Sequence, residues 1–186
     1  MSDPQPPQRL TTPLEGSGHR PWDPRAPIEA PLCLLQTTVA VQWVDYNGHM
    51  SESCYLLVFG DNSDAFFRYI GIDEAYRAAG HSLYTVQTHL HNLREVAQGE
   101  PIRLTLQLLD CDAKRLHIFH AMTHGTRGDL LATGEQLLVH VDMRAGRSVP
   151  LPEVLQQRLR AILQAHATLP WPAQAGQPLA IRRQRT

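Results

Sequence analysis

Cysteine is scarce in this chain and arranged for nothing: Cys33, Cys54 and Cys111 are odd in number, widely spaced and without a Cys-x-x-Cys pair. That excludes a disulfide framework and points to a reducing cytoplasm. Charge of one sign is lacking as well. Seventeen Lys and Arg against eighteen Asp and Glu leave a formal charge of −1, so there is no global basic field to hold nucleic acid. No apolar run approaches the roughly 18 residues of a membrane span, and the N-terminus has no basic start followed by an apolar core. The expected protein is therefore soluble, unexported and free of membrane or nucleic-acid partners. Aromatics make up 6% of the chain, but hydrophobic residues reach 42% of 186, enough for one good core and a squeeze for two.

Composition changes twice along the chain. Residues 1–31 carry eight prolines and almost no apolar periodicity, too little to offset the entropy of ordering, and read as a flexible or surface-draped leader. Residues 171–186 are a tail, with Trp171 placed to anchor it and Arg182, Arg183 and Arg185 ending it. Between them, 32–170 is the folded unit. Residues 34–44 predict a first strand. From 53 to 70, Tyr55, Leu56, Val58, Phe59, Phe66 and Phe67 recur at helical spacing with Ser51 in the cap position, a helix of roughly 27 Å that a sheet can wrap. A short helix over 73–79 ends at Gly80. Period-two patterning then predicts strands over 82–95, 101–110, 115–123 and 130–142, separated by turn residues and paired consecutively as a meander. A helix over 152–167 closes the unit, with Pro152 early and Leu155, Leu159, Ile162 and Leu163 on one stripe.

The run Asp45-Tyr46-Asn47-Gly48-His49-Met50 stands between the first strand and the long helix. It puts a carboxylate at a strand end facing a helix start, where unpaired N–H groups and the positive end of the macrodipole can polarise a bound carbonyl while the carboxylate attacks it or activates water. Asn-Gly is also an ordinary turn pair and Asp an ordinary cap, so the six residues alone are as compatible with a plain turn.

The order of these residues closely resembles the Asp-x-x-Gly-His-Met motif of hotdog-fold acyl-coenzyme A thioesterases of the 4-hydroxybenzoyl-CoA thioesterase superfamily, over roughly residues 37–142. Leu93-Arg94-Glu95-Val96 with Gly99-Glu100-Pro101, the stretch from Leu109 to His120, His140-Val141-Asp142, and Leu169-Pro170-Trp171-Pro172 with Ala175-Gly176 resemble the bacterial branch that includes the betainyl-CoA thioesterases of carnitine breakdown. The resemblance implies an α+β hotdog fold, a long central helix wrapped by an antiparallel five-stranded sheet, followed by a C-terminal helix. One departure is Ser51, where the family has Asn; Ser caps a helix about as well, and only a substrate contact is at stake.

Carried over residue by residue, the resemblance makes Asp45 the catalytic nucleophile or general base, Gly48 the point of close backbone approach, and the backbone amide at Glu52 the oxyanion contact. His49 invites a catalytic assignment, its ring being able to titrate near neutrality, and in this motif it more often holds the loop by a hydrogen bond. Trp43, Tyr46, Asn47, Met50, Ser51 and Tyr55 surround the substrate, with Tyr55 in the pocket wall. Lys114 and Arg115, on a tight hairpin, are candidates for the coenzyme A phosphates, and Arg94 lies near a strand end. If the acyl part is betaine, Trp43, Tyr46, Phe59, Tyr84 and Phe119 are the aromatics available for its trimethylammonium.

Ten histidines invite a metal reading. Spacing opposes it: His89 and His91 share a strand face, but His117 and His120 do not, and no His-x-Glu or Cys-x-x-Cys partner accompanies them. His89, His91 and Asn92 read instead as polar lining or interface near the active site. The expectation is a metal-free, cofactor-free thioesterase, cytoplasmic, working on an acyl-CoA as a homodimer or dimer of dimers with sites at the dimer interface. The alternatives one class away are a non-catalytic acyl-CoA-binding module and a hotdog dehydratase.

Overall fold

The computed structural model describes residues 11–16 and 19–181. The chain runs β1 (Leu32–Thr38), a 3-10 turn (Val41–Trp43), α1 (Glu52–Ile70), α2 (Glu74–Ala78), β2 (His81–Asn92), β3 (Pro101–Cys111), β4 (Arg115–His124), β5 (Leu130–Asp142), β6 (Arg147–Ser148) and α3 (Glu153–His166). All pairings are antiparallel in the order β1-β3-β4-β5-β2, with β6 on β5. Helix α1 touches β1 and β2 at opposite edges as well as β3 and β5 between them. One helix can meet both edges only if the sheet curls around it.

The curl follows from where the apolar residues lie. Val58, Phe59, Phe66, Tyr69 and Ile70 of α1 are buried together with Leu104, Leu106, Leu116, Ile118, Met122 and Leu138 of the sheet. Helix α3 lays Leu155, Leu159 and Ile162 against the same core. Gly71 ends α1 in the left-handed region at φ 100°, with the Ile72 N–H returning to the Phe67 carbonyl at 2.7 Å, the geometry a helix C-terminus favours. At Gly134 the reason for glycine is closeness: an added Cβ would stand 2.9 Å from the Phe59 ring. Gly134→Ala should therefore cost about 1–3 kcal/mol of overpacking, read as a lower urea midpoint. An unchanged midpoint would contradict the close approach of α1 to β5.

Two expectations need correction. The predicted first strand over 34–44 stops at Thr38, because Val39 leaves the ladder to donate to the Glu100 carbonyl at 3.0 Å and residues 41–43 coil into the 3-10 turn. The predicted meander is not one: β2 pairs with β5 and never with β3. After Asn92 the chain does not turn back. Leu93 and Arg94 donate to the Leu131 carbonyl at 2.9 and 3.0 Å, and Val96 and Ala97 go on to pair with Met50 and His49. This crossing carries the chain from one sheet edge to the strand beside β1 at the other. Elsewhere boundaries move by one to three residues, the largest shift being at the end of β2, and Asp73 caps α2 through its side chain to the Tyr76 N–H at 2.9 Å.

The described leader residues lie against the domain. Thr12 donates to Asp64, and Trp22 packs on Tyr69 with ring centroids 5.3 Å apart and Arg158 above it. The expected flexibility of residues 1–10 falls outside the described residues, as do Arg182, Arg183 and Arg185 of the tail. Trp171 meets His117 edge-on at 5.9 Å, and the Gly176 N–H reaches Glu135 at 2.8 Å, so the tail runs over the outer sheet face. Among the described residues no helix is long and apolar enough to cross a membrane.

Candidate active site

The six-residue motif folds as a tight loop pinned at both ends. Val44 and Met50 bridge across its base, the Asp45 N–H donates to the His49 carbonyl at 3.0 Å, and the Gly48 N–H returns to the Asp45 carbonyl at 3.0 Å. Gly48 sits at φ 79°, a conformation that costs a side chain but not glycine. The Asp45 carboxylate accepts the Asn47 N–H at 2.8 Å, which fixes it at the loop's start. Outside the loop, the Met50 N–H bonds the Val96 carbonyl at 2.9 Å and the Ser51 N–H bonds the Trp43 carbonyl at 2.7 Å. The turn reading is thus correct as geometry, and the turn is clamped between the 3-10 segment on one side and the crossing segment on the other.

Helix α1 begins directly after it. Ser51 takes the extended cap conformation, but its side chain makes no cap bond and its hydroxyl instead lies 3.4 Å from that of Ser53. The Cys54 N–H turns to the Ser51 carbonyl at 2.9 Å. The amides of Glu52 and Ser53 are left without an acceptor among the described residues. Two open N–H groups at the positive end of a 19-residue helix are suited to an oxygen that gains negative charge.

A cleft of about 320 Å³ opens beside this helix start, lined by Met50, Glu52, Tyr55, Asn92, Leu93, Arg94 and Glu95. Tyr55, 4% exposed, forms its wall and donates its hydroxyl to the Arg94 carbonyl at 3.2 Å. Burial, and secondarily the charge of Glu95, push its phenol above the ordinary tyrosine range. The Glu95 carboxylate lies 3.5 Å from His49 Nδ1, so the His49 side chain ties the motif loop to the crossing segment.

Not every expected residue meets there. Tyr46 is 97% exposed, and Trp43 is half-buried against the core that holds Phe59. Phe59 faces Gly134 and the His120 ring, Phe119 is buried in β4, and Tyr84 pairs opposite Val139 at the far end of β2. Within one copy these aromatics form no box. Lys114 and Arg115 lie at the β3–β4 hairpin, where Asp112 holds Arg115 at 2.6 Å. Arg115 pairs with Val139, whereas Asn92 of the cleft pairs with Ala132; seven residues of strand separate the two ends, roughly 23 Å. The expected histidine cluster divides as well. The His89 and His91 rings lie tilted against each other with centroids 4.6 Å apart, His89 lining a pocket on the outer face, and Asn92 lines the cleft beside α1. Among the described residues no group of three His, Cys, Asp or Glu could hold a metal ion.

Glu95 is the residue that sequence reasoning left without a role. It stood in a segment quoted only for its resemblance, and nothing in period-two patterning shows that a strand's continuation will leave the sheet and face a loop forty-odd residues earlier.

The sequence model of the thioesterase-like superfamily matches residues 39–159. A Rhizobium meliloti protein named L-carnitine dehydrogenase/betainyl-CoA thioesterase is 48% identical over 153 residues, covering 82% of this chain and 31% of its own length. This chain thus spans about a third of that relative. A Pseudomonas aeruginosa protein named betainyl-CoA thioesterase is 42% identical over 151 residues, covering 81% of this chain and 95% of its own. Among solved structures, a Staphylococcus aureus protein in complex with CoA superposes with a TM-score of 0.77 at 27% identity, covering 84% of this chain and all of that one.

Proposed function

This chain belongs to the thioesterase-like superfamily and has the hotdog fold, and we propose that it hydrolyses acyl-coenzyme A thioesters to the free acid and coenzyme A. The observation that carries the reading is the placement of the Asp45 carboxylate one tight loop before the open amides of Glu52 and Ser53. The thioester carbonyl oxygen takes those amides, which stabilise the charge that builds on it. Asp45 then either attacks the carbonyl carbon, expelling coenzyme A as thiolate and leaving a mixed anhydride that water opens, or removes a proton from the attacking water. Gly48 keeps the loop free of a side chain where the ester must approach. Carried over from the names of the two relatives, betainyl-CoA is the first substrate to test.

Among the described residues strand β2 is bonded on one side only, by β5, and it carries exposed Tyr84 and Val86. A second copy pairing on that edge would give the homodimer, or dimer of dimers, that we assign to the active form. Lys114 and Arg115 lie far from Asp45 in one copy, and any contact they make with coenzyme A phosphates would come from such an assembly.

Free-thiol release from a panel of acyl-CoAs by the purified protein tests the hydrolase reading. A protein that binds the esters at equilibrium without releasing thiol would be a binding module, and one that hydrates an enoyl ester instead would be a dehydratase. The proposed chemistry runs on a carboxylate and backbone dipoles, so exhaustive chelation should leave the rate of thiol release unchanged. Loss with EDTA and recovery with a divalent ion would sink the carboxylate-only mechanism.

A further inference from the structure

We propose that Glu100 is a positioning residue for the thioester chemistry: its carboxylate, through the Ala97 amide, holds the crossing segment against the Asp45 loop. The inference rests on the hydrolase reading and adds a residue to it. Glu100 is not among the residues that line the cleft, so it acts through the chain between. The motif loop meets the crossing segment at two points, the Met50 N–H on the Val96 carbonyl at 2.9 Å and a bridge between His49 and Ala97. Asp45 can be no better placed than that segment. Whatever fixes residues 96 and 97 therefore fixes the carboxylate.

At its start the segment hangs from the Leu131 carbonyl, which takes the Leu93 and Arg94 N–H groups. At its end the Glu100 side chain turns back and accepts the Ala97 N–H on Oε2 at 2.8 Å. The other oxygen, Oε1, accepts from the Arg127 guanidinium at 2.8 Å and stands 3.4 Å from His124 Nε2. His124 is buried, and its Nδ1 accepts the Thr126 and Arg127 N–H groups at 3.2 and 3.1 Å, which leaves Nε2 to carry a hydrogen toward Glu100. The end of β4 and the turn after it thus brace the carboxylate. The Arg127 bond first, and the Ala97 N–H second, hold its pKa down at about 2, so it is charged at every working pH. The Glu100 carbonyl also takes the Val39 N–H at 3.0 Å, just before the 3-10 turn that leads into the motif. One residue anchors both approaches to the loop, the crossing segment by its side chain and the end of β1 by its backbone. The other side-chain tie, from His49 to Glu95, spans 3.5 Å to a carboxylate that is 75% exposed, and a pair so open to water holds weakly.

The test sets Glu100→Ala against Arg127→Ala and Glu100→Gln. All three lose the Glu100–Arg127 ion pair, but Glu100→Ala alone also loses the acceptor of the Ala97 N–H, which a glutamine oxygen can still supply. With the acyl-CoA that the wild type turns over best in the thiol-release panel, kcat in Glu100→Ala should fall about tenfold to a hundredfold, the scale of a misplaced reacting group. KM should hardly move. The other two variants should keep most of the wild-type kcat, and a melting curve shows that each protein is folded at the assay temperature. Amide hydrogen exchange reads the segment directly: the Ala97 and Met50 N–H groups should exchange faster in Glu100→Ala and near the wild-type rate in Arg127→Ala. Wild-type kcat in Glu100→Ala, or a kcat that falls alike in all three, overturns the proposal, because an ion pair of merely structural worth is lost in every one of them. Faster exchange at Ala97 and Met50 in Glu100→Ala, in a protein whose wild type releases no thiol, would keep the anchoring and remove the hydrolase reading.

Discussion

Replacing Asp45 by Asn is expected to lower thioester turnover at least about a thousandfold while the protein stays folded and still binds its ester. The change preserves size. The new side-chain carbonyl can still accept the Asn47 N–H that the carboxylate holds at 2.8 Å, and the other bonds of the loop are backbone bonds that the side chain does not enter. What disappears is the negative charge that attacks carbon or takes a proton, and with it about 4 kcal/mol or more of barrier lowering. Single-turnover kcat, with a melting curve and an ester-binding isotherm on the same preparation, measures this. Retention of more than a tenth of wild-type kcat would remove Asp45 from the chemistry. Turnover in heavy-oxygen water tests the nucleophilic route: label found in the Asp45 carboxylate, which enters when water opens the mixed anhydride at the aspartyl carbon, would establish it.

The geometry behind this expectation was readable in the sequence to the extent that it is local. Asp45, Gly48 and the start of α1 are neighbours in the chain, and turn chemistry plus helical spacing place them without knowledge of the rest. The strands β3, β4 and β5 were readable for the same reason, since each connects to the next by a short turn and alternation marks its faces. What could not be read is non-local. Patterning gives β2 a buried and an exposed face but not a neighbour, and it pairs with β5 across two intervening strands. The crossing segment 93–97 looked like more strand, and its course decides which residues face the motif loop. Hence Glu95 went without a role, while Lys114 and Arg115, adjacent in composition to what a phosphate needs, proved to lie at the other end of the sheet. The aromatics are scattered for a related reason: Phe59 is core because α1 presses on β5, a close approach that Gly134 permits and that nothing near Phe59 in sequence shows.

The polar interior beneath α1 was also hidden, because helical periodicity treats Asn62 and Ser63 as interruptions of an apolar stripe. In the fold they face His120, which is fully buried. Asn62 Nδ2 donates to His120 Nδ1 at 2.9 Å, so Nε2 carries the hydrogen, facing Gln136 Oε1 at 3.2 Å, with the Ser63 hydroxyl on the same oxygen at 3.1 Å. A second proton on this ring would set N–H against the Asn62 amide. Burial is the main cause that holds the imidazole down at about 4, only partly offset by the Gln136 bond. Since an unfolded histidine titrates near 6.5, the unfolded chain takes up the proton first. The stability this ring contributes is complete above about pH 6.5 and is lost as pH falls toward 4, in total about 3 kcal/mol. Other groups can be told apart by their windows. Glu74, held down by Arg68, and Glu100, held down by Arg127, sit at about 2, so their losses begin only as pH falls through the ordinary carboxylate value near 4.5 and run on down to about 2. Asp61, raised to about 6 by burial and then by Asp64, works in the opposite sense and gains stability as pH falls. His140 and His166, both lowered by burial, add to the loss. The contribution of His120 is therefore isolated by difference. Urea midpoints at pH 8, 6 and 4.5 should fall more steeply for the wild type than for His120→Gln, even though the variant starts lower at pH 8 because Asn62 and Gln136 lose a partner. Parallel curves for the two proteins would mean that His120 is not the buried acid-sensitive group of this core.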